Sequence, residues 1–320
     1  MKVLVTGATS LLGRHVALQL AARGEEVTCF QRRPSATGLR EVLGDVRDGP
    51  SLRRAAAGQD AVVHLAALVA PRAAWTDAYA VNVGGTENAL AAAREAGALV
   101  HVSTPSVAFH DVPAIGLGAE PPTYDGPDPY PRSKALAEQL VLQQTEVPAS
   151  VLRPHLVWGP GDTQLVGRIL DRARAGQLVL IDHGQALIDT TFVDDAAAAI
   201  VSAVDRTRAG SELVGRPWVV SGADPRPVRD LLCGIVAAAG LTVRLRSVPA
   251  PLAARLAKIT ERLWRGDEPP ITSFAARQLS VAHWFDQRAV QRVLGWQPQV
   301  SVDEGLARLA ASFAEQPPPE

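Results

Sequence analysis

Through the first half of the chain, short apolar runs alternate with longer stretches of helical periodicity. The runs at 3–6, 27–30, 61–64, 100–103 and 151–153 are valine-rich and show no alternation of apolar and polar positions, as expected of strands covered on both faces. Between them, 11–22, 81–96 and 130–143 read as helices. Strands and helices in alternation predict βαβ units and an open, doubly wound parallel α/β sheet. After Arg153 the texture changes to more proline, more arginine and longer helical segments at 228–239, 252–264 and 302–313. The expected division is a sheet domain at 1–153, with a returning segment near 187–206, and a smaller, mostly helical domain at 154–186 and 207–320. Ser301, three residues before Glu304, predicts a capping box ahead of an apolar stripe at Leu306, Leu309 and Phe313. The prolines at 317–319 read as a stop and a frayed tail, and the proline- and glycine-rich stretch 105–129 as a loop.

Composition narrows the function classes. The 320 residues are 47% hydrophobic and 20% charged, an ordinary globular balance for about two domains. With 32 basic against 33 acidic side chains the formal charge is −1, so the electrostatic footprint of a nucleic-acid binder is missing. The longest nearly uncharged apolar stretch, 231–243, falls short of the roughly 18 residues of a transmembrane span. The N-terminal MKVLVTG lacks the apolar core of a secretory signal, and the expected location is cytoplasmic. Cys29 and Cys233 stand far apart without a CxxC or a histidine pair; they predict two buried thiols, with no disulfide and no metal site.

The first strand runs into TGATSLLGRH, with Gly7 and Gly13 six apart and an apolar helix following. Glycine permits the tight turn and close backbone approach, while the free N–H groups and dipole of the helix attract a pyrophosphate. Gly7, Thr9, Ser10, Leu11, Leu12 and Gly13 are therefore candidate dinucleotide contacts. Ser10 replaces the middle glycine of a GxxGxxG reading; serine fits there if its φ is negative, and its hydroxyl could then also donate to a phosphate oxygen. The second strand ends in CFQRR without an acid to take the ribose 2′-hydroxyl of NAD, so Gln31, Arg32 and Arg33 favour the 2′-phosphate of NADP(H) over NAD(H). Asp45 and Val46, after Gly44, and Leu65, Ala66 and Ala67, after His64, are further candidates; small side chains let the chain pass close to a cofactor.

Tyr130 and Lys134 lie four apart in YPRSK, on one face of a helix. A lysine ammonium ~4 Å from a phenol, at an effective dielectric near 20, lowers its pKa from about 10 by about three units. That would make Tyr130 a proton shuttle near neutral pH. The strand end VHVSTPS offers Ser103 and Thr104 to orient the reacting oxygen, and Thr104 precedes Tyr130 by 26 residues.

TGATSLLG, GDV at 44–46, HLAA at 64–67, NVGGTENAL at 82–90, VST at 102–104, YPRSK, and RPHLVWGPGD at 153–162 together resemble the extended short-chain dehydrogenase/reductases, over nearly the whole chain. The stretch AHWFDQRAVQRVLGWQP followed by SVDEGL resembles the 3β-hydroxysteroid dehydrogenase branch. Within it the chain is most similar to the bacterial 2-alkyl-3-oxoalkanoate reductases of long-chain olefin synthesis. The resemblance implies a Rossmann-type fold with a C-terminal substrate-binding domain. It implies Tyr130 as general acid/base, Lys134 lowering its pKa and holding the nicotinamide ribose, and Thr104 binding the reacting oxygen. Asn82 would fix the active-site end of the cofactor or a neighbouring strand, and Pro154 and His155 would join the cofactor contacts. Ser10 stands where the family usually has glycine, which questions cofactor affinity, and Thr104 stands where this branch often has serine.

The implied activity is reduction of a ketone, or oxidation of the secondary alcohol, on a bulky apolar substrate such as a 2-alkyl-3-oxo fatty acid or a steroid. Candidate pocket elements are 105–129, the turn after 155–158, and 249–264. In the last, Leu252, Leu256, Ile259 and Leu263 lie opposite arginine and lysine, which fits a packed helix, a lid over an oily substrate or a weak membrane contact. A sugar-nucleotide epimerase or dehydratase would use the cations Arg168, Arg172 and Arg174 for a second diphosphate. A non-catalytic NADP-binding regulator would have no need of Thr104, Tyr130 and Lys134 together. The helices at 81–96 and 130–143 are the surfaces through which a homodimer would form.

Overall fold

In the computed structural model, which describes residues 1–70, 73–263 and 272–315, seven parallel strands form the central sheet. Their order is Pro217–Val220, Ala149–Pro154, Leu99–Val102, Ala61–His64, Lys2–Thr6, Glu26–Gln31 and Arg40–Leu43. The order reverses beside Lys2–Thr6, and a doubly wound sheet opens its ligand crevice at such a switch point, beyond the strands' C-terminal ends.

Successive side chains of a strand point to opposite faces, and both faces are covered. Val3 and Val5 pack with Val16, Leu20, Ala197 and Ile200 of the helices Leu11–Ala22 and Val193–Arg206. Leu4 points the other way, into a core with Leu52, Leu90 and Val141 of the helices Gly49–Ala56, Gly85–Ala96 and Pro129–Gln143. This is why the strands lack alternation.

The second region packs the helices Val166–Arg174, Val228–Ala238 and Val302–Ala314 around Trp158 and Phe192. Beside them lies a small sheet of Arg226–Pro227, Leu187–Ile188, His283–Phe285 and Ala114–Leu117. Ser301 caps the last helix as expected, its Oγ accepting the Glu304 N–H at 3.2 Å.

Several expectations need correction. The edge strand Pro217–Val220 belongs to the main sheet although it falls within 207–320. Val290 and Leu294 of the helix Arg288–Leu294 likewise join the first core. The helix expected at 81–96 begins earlier, as Trp75–Ala78, and passes through a π-helical turn, Tyr79–Gly84, before Gly85–Ala96. The stretch 105–129 is no plain loop: Ala114–Leu117 pairs in parallel with His283–Phe285. Cys29 is buried but Cys233 is exposed, on the outer side of a helix that buries Leu231, Leu232, Ile235 and Val236. In the helix Ala250–Leu263 the small residues Ala253 and Ala257 pack on Ile181 and Ala276, while Leu252, Leu256 and Ile259 are 46–47% exposed. Those three residues are neither core nor cavity wall, and the Leu263 side chain lies outside what the structure describes. Trp264 and the tail at 317–319 lie outside the described residues. Among the described residues no helix is long and apolar enough to cross a membrane.

Candidate active site

The turn after Lys2–Thr6 is built by two glycines that nothing else could replace. Gly7 has φ +80°, and a Cβ there would lie 2.8 Å from the Ala66 nitrogen. A Cβ on Gly13 would lie 2.3 Å from the Gly7 carbonyl oxygen. Ser10, by contrast, is extended at φ −79° and needs no glycine. Its hydroxyl donates to the Gly7 carbonyl at 2.9 Å and accepts the Gly13 N–H at 3.0 Å. That proton is engaged inside the turn, so the expected donation to a phosphate is not what Ser10 does here; it braces the turn as an N-cap. The Leu11 and Leu12 N–H groups, lacking partners four residues back, remain for an anion, and both residues line the cavity. Gly13→Ala is expected to open the turn by about an ångström and weaken binding of the reduced nicotinamide dinucleotide about 10²-fold; a fluorescence titration with NADH and NADPH measures it, and unchanged affinity would refute this reading of the turn.

One cavity of about 940 Å³ gathers Gly7, Thr9, Ser10, Leu11, Leu12, Gln31, Arg32, Arg33, Asp45, Val46, Leu65, Ala66, Ala67, Thr104, Tyr130, Lys134 and Pro154. Arg32 and Arg33 are exposed on its rim. The acids near them have other partners. Glu41 accepts from Gln31 Nε2 and the Ser35 N–H, and Arg47, 2.7 Å from Asp45, holds that carboxyl below its ordinary range. Small side chains at Ala66 and Ala67 keep the facing wall open, and Thr6 Oγ1 steadies it by accepting the Leu65 and Ala66 N–H groups at 3.2 Å each. The cradle of glycines, free N–H groups and rim arginines fits a dinucleotide.

Three sequence candidates lie off the cavity wall. Gly13 sits behind the turn it tightens. The Asn82 amide ties Leu68 N and O, at 2.7 and 3.2 Å, to Ser133 Oγ at 2.8 Å, so it joins the cofactor wall to the Tyr130 helix rather than touching a cofactor. His155 is buried against His283 and Phe285, with ring centroids 4.9 and 5.2 Å away.

Thr104, Tyr130 and Lys134 converge on the cavity as predicted. Thr104 stands two residues beyond the strand Leu99–Val102 and caps the short helix Pro105–Ala108. The helix Pro129–Gln143 then presents Tyr130 and, one turn later, Lys134. The expected electrostatics are overturned. Burial pushes the Tyr130 phenol up to about 12, against the opposing Thr104 hydroxyl, and Lys134 is not a cause of its shift. The Lys134 ammonium instead donates to the Val102 carbonyl at 2.7 Å and lies 3.3 Å from His101 Nε2; burial lowers it to about 8. The Tyr130 phenol is thus neutral at pH 7. Ser103 stands beside Thr104 on the wall, its buried hydroxyl without a partner among the described residues.

Comparison with known proteins agrees with this geometry. A family model, NAD dependent epimerase/dehydratase family, matches residues 3–220. The chain belongs to that family. It is 39% identical to a 2-alkyl-3-oxoalkanoate reductase of Stenotrophomonas maltophilia, over 98% of this chain and 100% of the relative. It is 26% identical to a 3-beta-hydroxysteroid dehydrogenase of Mycolicibacterium neoaurum, over 98% and 92% of the two chains. A short-chain dehydrogenase/reductase superfamily protein from Agrobacterium tumefaciens, solved with bound NAD, shares the fold with TM-score 0.76, 24% identity and coverage of 98% of both chains. The protein is an NAD(P)-dependent oxidoreductase of the extended short-chain type, acting on CH–OH groups.

In this family member the cavity continues beyond Tyr130 to a wall of Leu156, Val157, Leu165, Ile169, Phe274 and Leu279, with Arg168 and Arg172 also on it. Arg174 is absent from it and pairs with Asp171. The helix Ser273–Ser280, which the periodicity did not single out as a lid, closes this end. Its Arg277 bridges Asp128 and Asp111 at 3.0 and 2.9 Å, Asp128 also accepts from the Tyr124 hydroxyl, and Gln278 donates to Ser106 at 3.2 Å. Only the fold brings this helix against the start of the Tyr130 helix, through Arg277 and Asp128.

Proposed function

We propose that the protein is an NADP(H)-dependent reductase of a ketone on a bulky apolar substrate that carries an acid group, such as a 2-alkyl-3-oxo fatty acid. The reverse reaction oxidises the secondary alcohol. The observation that carries this reading is a neutral Tyr130 beside Thr104 in a cavity whose far end carries Leu156, Val157, Leu165, Ile169, Phe274 and Leu279, with Arg168 and Arg172 among the polar residues between them. The nicotinamide cofactor, when bound, supplies the hydride. Thr104 holds the substrate oxygen, Tyr130 donates the proton that converts the developing alkoxide to an alcohol, and Lys134, which lines the same cavity, would hold the nicotinamide ribose. The apolar wall removes water around the alkyl chains. Arg168 and Arg172 favour a carboxylate over an uncharged sterol, and the 39% relative supports the same substrate class.

Consumption of NADPH or NADH, followed at the nicotinamide absorbance, tests this with a long-chain 2-alkyl-3-oxo acid or stable analogue, a 3-ketosteroid, and a UDP- or dTDP-keto sugar. Turnover of the acid is expected. Activity with the sugar alone would move the protein to the epimerase/dehydratase reading, and NADPH binding with no turnover would leave a regulator. Arg32→Asp with Arg33→Gly is expected to turn preference from NADPH toward NADH by at least ~10-fold, as removal of a charge-assisted phosphate contact implies. An unchanged ratio of the two kcat/KM values would sink the NADP assignment.

A further inference from the structure

Lys134 is 3% exposed, and its ammonium meets two acceptors of the strand Leu99–Val102: the Val102 carbonyl and the Nε2 of His101. His101 is 0% exposed and stands in register with His64 on the neighbouring strand, their ring centroids 5.6 Å apart. The tautomers follow from the partners. Thr6 Oγ1 already accepts two N–H groups, so its own proton goes to His64 Nδ1, 2.9 Å away, and His64 carries its proton on Nε2. An ammonium only donates, so the His101 Nε2 facing it is bare and the His101 proton is on Nδ1.

We propose that His101 is a positioning residue for the acid–base pair: a neutral, Nδ1-protonated imidazole that, with the Val102 carbonyl, holds two of the three Lys134 N–H groups and leaves the third for the cavity that Lys134 lines. This rests on the reading of Tyr130 and Lys134 given above. His101 is not a proton store. Burial, with the Lys134 charge and His64 adding to it, drives its pKa well below the ordinary histidine value. The charge that works against burial to raise the Lys134 pKa is Glu138, one turn along the same helix and itself hydrogen-bonded to Arg153 of the next strand. His101 is therefore the neutral side-chain acceptor that stabilises the buried ammonium, whose pKa already lies near 8.

His101→Leu removes the acceptor, while His101→Gln places an amide oxygen near the position of Nε2. A hydrogen bond to a charged group is worth about 10- to 10²-fold. His101→Leu is expected to lower kcat for ketone reduction by that amount with little change in the ketone KM, and to move the alkaline limb of kcat/KM to lower pH. His101→Gln should recover most of both. Nitrogen-15 NMR of histidine-labelled protein supplies a readout independent of turnover. It should show a neutral Nδ1–H tautomer from His101, assigned by its loss in His101→Gln, with an Nε2 resonance that moves in Lys134→Met. An Nε2–H tautomer, a His101 titration between pH 5.5 and 9, or a folded His101→Leu with wild-type kcat and pH profile would overturn the proposal. If the wild-type protein reduces none of the ketones, the acid–base reading fails, and the resonances still decide the Lys134–His101 bond.

Discussion

Tyr130→Phe is expected to lower kcat for ketone reduction by about 10²- to 10⁴-fold, the usual contribution of a positioned general acid. Affinity for the nicotinamide cofactor should stay close to wild type, because the ring and its packing remain. The direction of the phenol's shift adds a pH signature. A group raised to about 12 is fully protonated at neutral pH, so reduction has its donor ready, whereas oxidation of the alcohol needs the scarce phenolate and should rise with pH. Single-turnover kinetics in both directions from pH 6 to 9.5 measure this. Full activity of Tyr130→Phe, or oxidation that falls as pH rises to 8, would show that another group moves the proton.

Arg153→Met is expected to destabilise the fold by about 3–5 kcal/mol, the usual cost of leaving one charge of a buried pair alone. Arg153 and Glu138 are 1% and 0% exposed. The Arg153 Nε lies 3.2 and 3.0 Å from the two Glu138 carboxylate oxygens, its Nη2 2.5 Å from one of them, and its Nη1 donates to the Glu120 carbonyl at 2.7 Å. The pair locks the strand Ala149–Pro154 to the helix that carries Tyr130 and Lys134, and ties in the segment before that helix. Urea unfolding of Arg153→Met, Glu138→Leu and the double variant measures it. The double variant should recover most of the loss, since an apolar pair of similar volume replaces a buried ion pair at little cost. A double variant no more stable than Arg153→Met alone would refute the unpaired charge as the cause.

Much of the nucleotide half was legible because its signals are local. A valine run buried on both faces, a Gly7 that must adopt positive φ and a Tyr130–Lys134 pair one helical turn apart are each decided within a few residues. The strands Arg40–Leu43 and Pro217–Val220 were not legible. The first is a half-exposed edge with charges at Arg40 and Glu41, and the second joins the sheet only after a long excursion through the second region. Asn82 was recognisable from its motif, but its amide serves Leu68 and Ser133 because a π-helical turn sets its direction.

The sequence by itself determined the doubly wound sheet, the glycine turn and the candidate set Thr104, Tyr130 and Lys134 that meets on one cavity, because periodicity and spacing state which face or turn a residue occupies. Only the tertiary structure decided their chemistry. The Tyr130 phenol is high rather than low because its protonation follows the burial around it, and Lys134 turns to Val102 and His101, more than thirty positions away in the chain. The helix Ser273–Ser280, rather than the amphipathic Ala250–Leu263, closes the cavity because an apolar stripe states what can be buried, and packing chooses the partner.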